Sequence, residues 1–287
     1  CVEPCQMMQD TVSQVFSVIY QLVVTAQPVS GSVAGAAISP AVVVEVQDAD
    51  GVSISADSET EVTSALSVDV SKYGTGVLGG VVSSMAVSGA ATLSGLELNN
   101  AGNGFVLSFS APNYCTPPCQ MMQGVSSSAF SVIYQLVVTV QPVSTGTLAR
   151  LPLSPGMTVA IQDALGSTIT ADNETNVTVS LSGSGRNPGG GVLEGSLVEQ
   201  SVAGVVQFDG VALSKAGLDY RVTFSAPNYC VEPCQMMQSV QSVEFEIIYK
   251  VIISQQPTHS LAGDTIRSTV GDVVLSFENG HNEVMTF

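Results

Sequence analysis

The residues with the most chemical potential in this chain are its six cysteines, which fall into three C-x3-C pairs: Cys1 with Cys5, Cys115 with Cys119, and Cys230 with Cys234. Each pair encloses a proline, Pro4, Pro118 or Pro233, which bends the chain between the two thiols. The identical local spacing predicts a disulfide within each pair, with bridges between repeats or between chains as the other possibility. Closing so small a loop gains only about 2 kcal/mol, so such a bridge would stiffen the loop more than support the fold. A metal site would need about four ligands brought together. Neither Cys115 with Cys119 nor Cys230 with Cys234 has a histidine nearby, since His259 and His281 both lie beyond residue 248, so neither a metal nor any other cofactor is expected.

Beside each cysteine pair stands a methionine pair flanked by glutamines: Met7-Met8, Met121-Met122 and Met236-Met237. Methionine fills irregular gaps, so one member of each pair could plug the end of the core. Exposed methionines on a stiff loop would instead form an apolar contact surface, and these six are candidate interface residues. Asn173-Glu174-Thr175 and Asn176-Val177-Thr178 are acceptors for N-linked sugar, and Ser58 and Glu61 replace the asparagines at the equivalent earlier places. Asn113 and Asn228, each two residues before a cysteine, fit better as turn formers. Asp48 and Asp50 resemble part of a calcium loop, but Leu165 replaces the second carboxylate in the matching segment, so a turn is expected. No base stands near a nucleophile, and residues 20–248 contain no histidine, so no catalytic residue is assigned and the chain does not read as an enzyme. Sugar-binding faces usually use aromatic platforms, and the chain has no Trp and 6% aromatics.

Composition narrows the partners. Seven basic groups stand against 24 acidic ones, a formal net charge of −17, which excludes a phosphate-binding stripe and hence nucleic acid. A hydrophobic content of 45% is too high for intrinsic disorder, and 27 glycines supply the turns of an all-β protein. The longest apolar stretch, residues 15–26, is interrupted by Ser17 and Gln21 and is shorter than the roughly 20 residues of a membrane helix. The chain begins at Cys1 without a charged leader, so it reads as a fragment or a processed chain.

The chemistry-bearing loops are positioned by a repeat. The text around Cys1 to Gln9 returns at Cys115 to Gln123 and Cys230 to Gln238, a period of about 115 residues. Behind it follow Phe16 to Tyr20, Phe130 to Tyr134 and Phe245 to Tyr249, each leading to a Gln-Pro pair ending at Pro28, Pro142 or Pro257. Within a repeat the apolar period is two, the strand signal. Val42, Val44 and Val46 alternate with Val43, Glu45 and Gln47; Met157, Val159 and Ile161 alternate with Thr158, Ala160 and Gln162. Phe105, Leu107 and Phe109, and later Tyr220, Val222 and Phe224, form a second inward set. Turns are expected at Asp48 to Gly51, Asp163 to Gly166 and Ala101 to Gly104.

The marks Ser39-Pro40, Gly79-Gly80, Gly89 to Leu96, Ala101-Gly102 and Phe105 to Leu107, repeated at Ser154-Pro155, Gly189 to Gly191, Gly210 to Leu213, Ala216-Gly217 and Tyr220, resemble the tandem immunoglobulin-like repeats of large secreted and cell-surface proteins. The resemblance implies antiparallel β-sandwiches in a rod and an extracellular or cell-surface location. It is weak for activity, because such repeats serve stalks, adhesins and fibres alike. The cysteine loops depart from the pattern, which usually has a short cysteine-free turn at that place.

These observations divide the chain into a final strand and cysteine loop of a preceding repeat (residues 1–19), two complete repeats (20–133 and 134–248) and a partial third (249–287). No flexible run separates Phe130 to Tyr134 from the segment that follows, which predicts a stiff joint. The expected role is a structural segment of an extracellular filament, stalk or sheath, glycosylated and associating with copies of itself. The alternative is an adhesin that recognises a protein or glycan. Head-to-tail assembly is also expected, with the strand at Phe16 to Tyr20 adding to the partial third repeat of the next molecule.

Overall fold

Branched and aromatic residues alternating with polar ones form strands along the whole length of the computed structural model, which contains no helix among its described residues. The fold is all-β. The structure describes residues 12–13, 16, 18–113, 121–143, 146–186, 189–228, 236–255, 267–268, 271–272 and 274–284.

The first repeat contains β1 (Gln21–Ala26), β2 (Ser32–Val33), β3 (Val42–Gln47), β4 (Glu61–Val68), β5 (Leu78–Gly79), β6 (Ser83–Val87), β7 (Ala90–Leu93), β8 (Glu97–Leu98), β9 (Gly102–Ser110), β10 (Val125–Ser126) and β11 (Phe130–Ile133). The second follows the same plan as β12 (Gln135–Val140), β13 (Thr147–Leu148), β14 (Met157–Gln162), β15 (Asn176–Arg186), β16 (Leu193–Glu194), β17 (Val198–Gln200), β18 (Val205–Phe208), β19 (Ala212–Leu213), β20 (Gly217–Ser225), β21 (Val240–Gln241) and β22 (Phe245–Ile248). The third part contains β23 (Lys250–Gln255), β24 (Arg267–Ser268), β25 (Gly271–Asp272) and β26 (Val274–Glu278).

In the first repeat, strands β1-β3-β7-β6-β4-β9-β11-β2 follow one another in a single sheet, with β10 added to β9. Strand β6 pairs with β7 through Ala86 and Val87 and with β4 through Ser83, Ser84 and Met85, so the sheet curls there. The second repeat keeps the order but opens at the corresponding place, giving β12-β14-β18 and β13-β22-β20-β15-β17 as separate sheets. Val202 and Val205 make only an isolated bridge across the gap. Strand β23 pairs with β26 in the register that β12 holds with β14, including the irregularity near the strand end.

The inward sets read from the sequence are buried. Val42, Val44 and Val46, and Phe105, Leu107 and Phe109, belong to one apolar cluster with Met157, Val159, Ile161, Tyr220, Val222 and Phe224. Ala160 departs from strict alternation and is buried as well. Phe208 and Phe224 pack at 5.4 Å between ring centres, and Phe105 and Phe130 at 6.1 Å. Gly80 and Gly195, at φ of 75° and 97°, hold equivalent left-handed turns where a Cβ would strike the carbonyl oxygen of Gly95 or Gly210. The Ser39-Pro40 and Ser154-Pro155 bonds are both cis.

Strand partners change at Tyr134. Strand β11 pairs with β9 and, in parallel, with β2. One residue later, β12 pairs with β14 of the second repeat. Tyr134 is buried at 1% exposure, so the connection is packed rather than free.

Candidate functional site

The described stems of the cysteine loops meet the chain where one repeat passes into the next. In the second repeat, Pro227 bridges Met236 and the Met237 amide donates to the Ala226 carbonyl at 2.9 Å, closing the base of the loop. The Gln238 amide then donates to the Tyr134 carbonyl (3.1 Å), and the Leu136 amide donates back to the Gln238 carbonyl (3.0 Å). Asn228, buried at 3% exposure, donates its side-chain amide to the Val132 carbonyl in β11 at 3.1 Å. The stem therefore grips the chain on both sides of Tyr134. The first repeat builds the same geometry on residues 18–22: Asn113 donates to Val18 (3.0 Å), Gln123 to Tyr20 (3.0 Å), and Leu22 to Gln123 (2.9 Å). Backbone groups that a loose linker would leave to water are paired here.

A second contact lies beside the first. Asp163 closes its own turn by accepting from the Leu165 and Ser167 amides at 2.9 and 2.8 Å. That turn presents the Ala164 amide to the Ala34 carbonyl of the first repeat at 2.8 Å. Asp48 closes the matching turn of the first repeat through Asp50 and Val52. At the following joint the Gly280 amide donates to the Ala149 carbonyl (2.9 Å), so the device recurs. Ion pairs flank both contacts: Lys72 with Glu174 at 2.5 Å and Arg150 with Glu283 at 2.8 Å. Their partners are 36 to 56% exposed, so solvent screens both pairs, and Lys72 with Glu174 contributes at most about 1 kcal/mol. The Asn279 side chain, then Arg150, holds the Glu283 carboxyl below its ordinary range.

Burial raises the Tyr134 hydroxyl above the ordinary tyrosine range. A raised acid is held neutral by the fold, so its contribution is complete below the unfolded value of about 10 and is lost as pH rises through the higher folded value. Tyr220 is raised in the same direction, also by burial. Thermal melts above about pH 10 should therefore show a shallower alkaline loss for Tyr134→Phe than for the unaltered chain. Identical slopes would contradict the assignment.

The sites read from the sequence fall as follows. Cys1, Cys5, Cys115, Cys119, Cys230 and Cys234, with Met7 and Met8, lie outside the described residues. Met122 and Met237 are buried at 3% and 2%, while Met121 and Met236 are exposed at 50% and 49%. Within these two pairs, one methionine fills the core end and its neighbour faces solvent. Asn173 and Asn176 are both exposed. Asn173 also accepts from the Ala203 amide at 2.8 Å, the place where Ser58 accepts from Ser88 in the first repeat.

Asp172 and Asp57, which periodicity and motifs do not single out, are both buried. Asp172 accepts from the Glu174 and Thr175 amides at 3.0 Å, from the Ser201 hydroxyl at 2.7 Å and from the Thr175 hydroxyl at 2.6 Å. Asp57 accepts from the Glu59 and Thr60 amides. The signal was present as Asp57-Ser58-Glu59-Thr60 against Asp172-Asn173-Glu174-Thr175 at the repeat period. Tyr220, a core residue by its place in the alternation, also uses its hydroxyl, which accepts from the Gly191 amide and donates to the Lys215 carbonyl, each at 3.1 Å.

No group of three or more His, Cys, Asp and Glu side chains among the described residues could hold a metal ion. A surface depression is lined by Tyr20, Ile54, Ala56, Asp57, Ser58 and Glu59. At the corresponding place in the second repeat, Lys72 and Tyr73 of the first reach Glu174. Among the described residues no helix is long and apolar enough to cross a membrane. No protein-family model matches the chain, and no curated protein matches it.

Proposed function

We propose that this chain is a structural segment of an extracellular filament, stalk or sheath, built from tandem immunoglobulin-like β-sandwiches joined into a rod, and that it is not an enzyme. The observation that carries this reading is the grip of Asn228, Gln238 and Leu136 on both sides of Tyr134. A chain whose repeats are joined by paired backbone transmits orientation from one repeat to the next, as a stalk or fibre requires. The strong acidic excess keeps such a surface soluble. Electron microscopy of purified native material is the test. Fibres or straight rods support the reading, whereas monomers that saturate on a surface partner would replace it with an adhesive one.

Two modifications belong to this proposal. Cys115 pairs with Cys119 and Cys230 with Cys234, and non-reducing peptide mapping should recover each pair within one peptide. A cross-link between the two loops would refute local pairing. N-linked sugar sits on Asn173 or Asn176, both exposed, and the first repeat carries none at Ser58 and Glu61. Glycosidase treatment in heavy-oxygen water should mark an asparagine of the second repeat, and unmarked native material would contradict this.

A further inference from the structure

The incoming and outgoing segments of each complete repeat lie side by side and run in the same direction. In the first repeat, Ser32 and Val33 of β2 pair in parallel with Val132 and Ile133 of β11. The bonds extend on both sides: the Gly31 amide donates to the Ser131 carbonyl (3.0 Å) and the Ala34 amide to the Ile133 carbonyl (2.9 Å). Side chains lengthen the seam, with Ser30 Oγ accepting from the Ser131 amide (2.9 Å) and Gln27 Oε1 from the Ser128 amide (2.9 Å). The second repeat carries the same seam: Thr147 and Leu148 pair with Ile247 and Ile248. The Ala149 amide donates to the Ile248 carbonyl at 2.9 Å, and Gln141 Oε1 accepts from the Val243 amide at 3.0 Å.

The geometry points to a load-bearing function: the seam between residues 27–34 and 128–133, with its counterpart in the second repeat, is a clamp that resists stretching of the chain. This inference rests on the rod reading and adds what the rod is for. Tension reaches the incoming segment from its N-terminal side and the outgoing segment from its C-terminal side. Because the two segments are parallel, these pulls are opposed along the strand axis, and the evenly spaced bonds are loaded together in shear. An antiparallel pair of outer segments would be peeled open one bond at a time. Past the clamp, force enters the Tyr134 junction, where Asn228 and Gln238 hold the chain on either side. Clamp and joint are thus in series, with no slack segment between them.

Forced unfolding is set by the unfolding rate rather than by equilibrium stability, which separates the clamp from the core. The full chain, tethered at both ends and held at constant force, provides the test. The double substitution Gln27→Ala with Ser30→Ala removes two exposed acceptors at the seam and leaves the buried core intact. It should speed rupture of one repeat about tenfold and leave the other repeat's rupture unchanged. Val62→Ala, in the buried face of β4 away from the seam, should lower stability to denaturant more than the double variant does, yet speed rupture less. Rupture rates that instead follow denaturant stability, with Val62→Ala the faster, would overturn the clamp. Absence of fibres in native material counts against the rod reading alone, and seam-independent rupture counts against the clamp alone.

Discussion

Replacing Asp172 by alanine is expected to destabilise the second repeat by about 3–5 kcal/mol, the largest effect of any single polar substitution considered. The carboxylate has no exposed surface, and it collects the Glu174 and Thr175 amides and the Ser201 and Thr175 hydroxyls. Thr175 and Ser201 are themselves buried, so alanine would take a buried acceptor away from both hydroxyls. Asp172→Asn keeps the shape and one acceptor oxygen, and its loss should be intermediate. Chemical denaturation followed by a probe in the second repeat measures both. A loss below about 1 kcal/mol for Asp172→Ala would show that water replaces the carboxylate.

The second large effect concerns the joint. Asn228→Ala removes the donor to the Val132 carbonyl and leaves that carbonyl facing a void at a buried position, a cost of about 2 kcal/mol. The loss should appear as uncoupling: a shared thermal transition of the two repeats should separate into two. Glu174→Ala, which breaks the exposed pair with Lys72 and the long hydrogen bond from the Tyr73 hydroxyl, should shift the transition by about 0.5 kcal/mol or less and leave it unsplit. Equal effects from both substitutions would mean that charge, rather than the buried amide, couples the repeats.

Much of the fold was legible because burial follows chemistry at a period of two. Val42, Val44 and Val46 could be placed inward from the sequence alone, and their burial is complete. The turns at Asp48 and Asp163 were legible for a similar reason, since a short carboxylate beside a glycine closes its own backbone. What could not be read was non-local. Asn113 and Asn228 were expected to be turn formers, and each also donates across 95 or 96 residues, to Val18 just ahead of β1 or to Val132 in β11. Periodicity carries no information about a partner so distant. Asp172 was hidden for another reason: a single acid among Ser, Thr and Asn looks like surface until its donors are seen to converge. The repeated text Asp-x-Glu-Thr was the available clue. Ala160 shows the opposite limit, where a small side chain on the outer face becomes buried although its position in the alternation is polar.

Repeats locked to one another through the Tyr134 junction should hold a fixed angle in solution, and small-angle X-ray scattering of the whole chain measures it. The proposed rod predicts a curve reproduced by a single arrangement of the repeats, unchanged between low and high salt because the uncharged amide bonds of Asn228 and Gln238 set the angle. A curve that only a broad ensemble of inter-repeat angles can fit would contradict it.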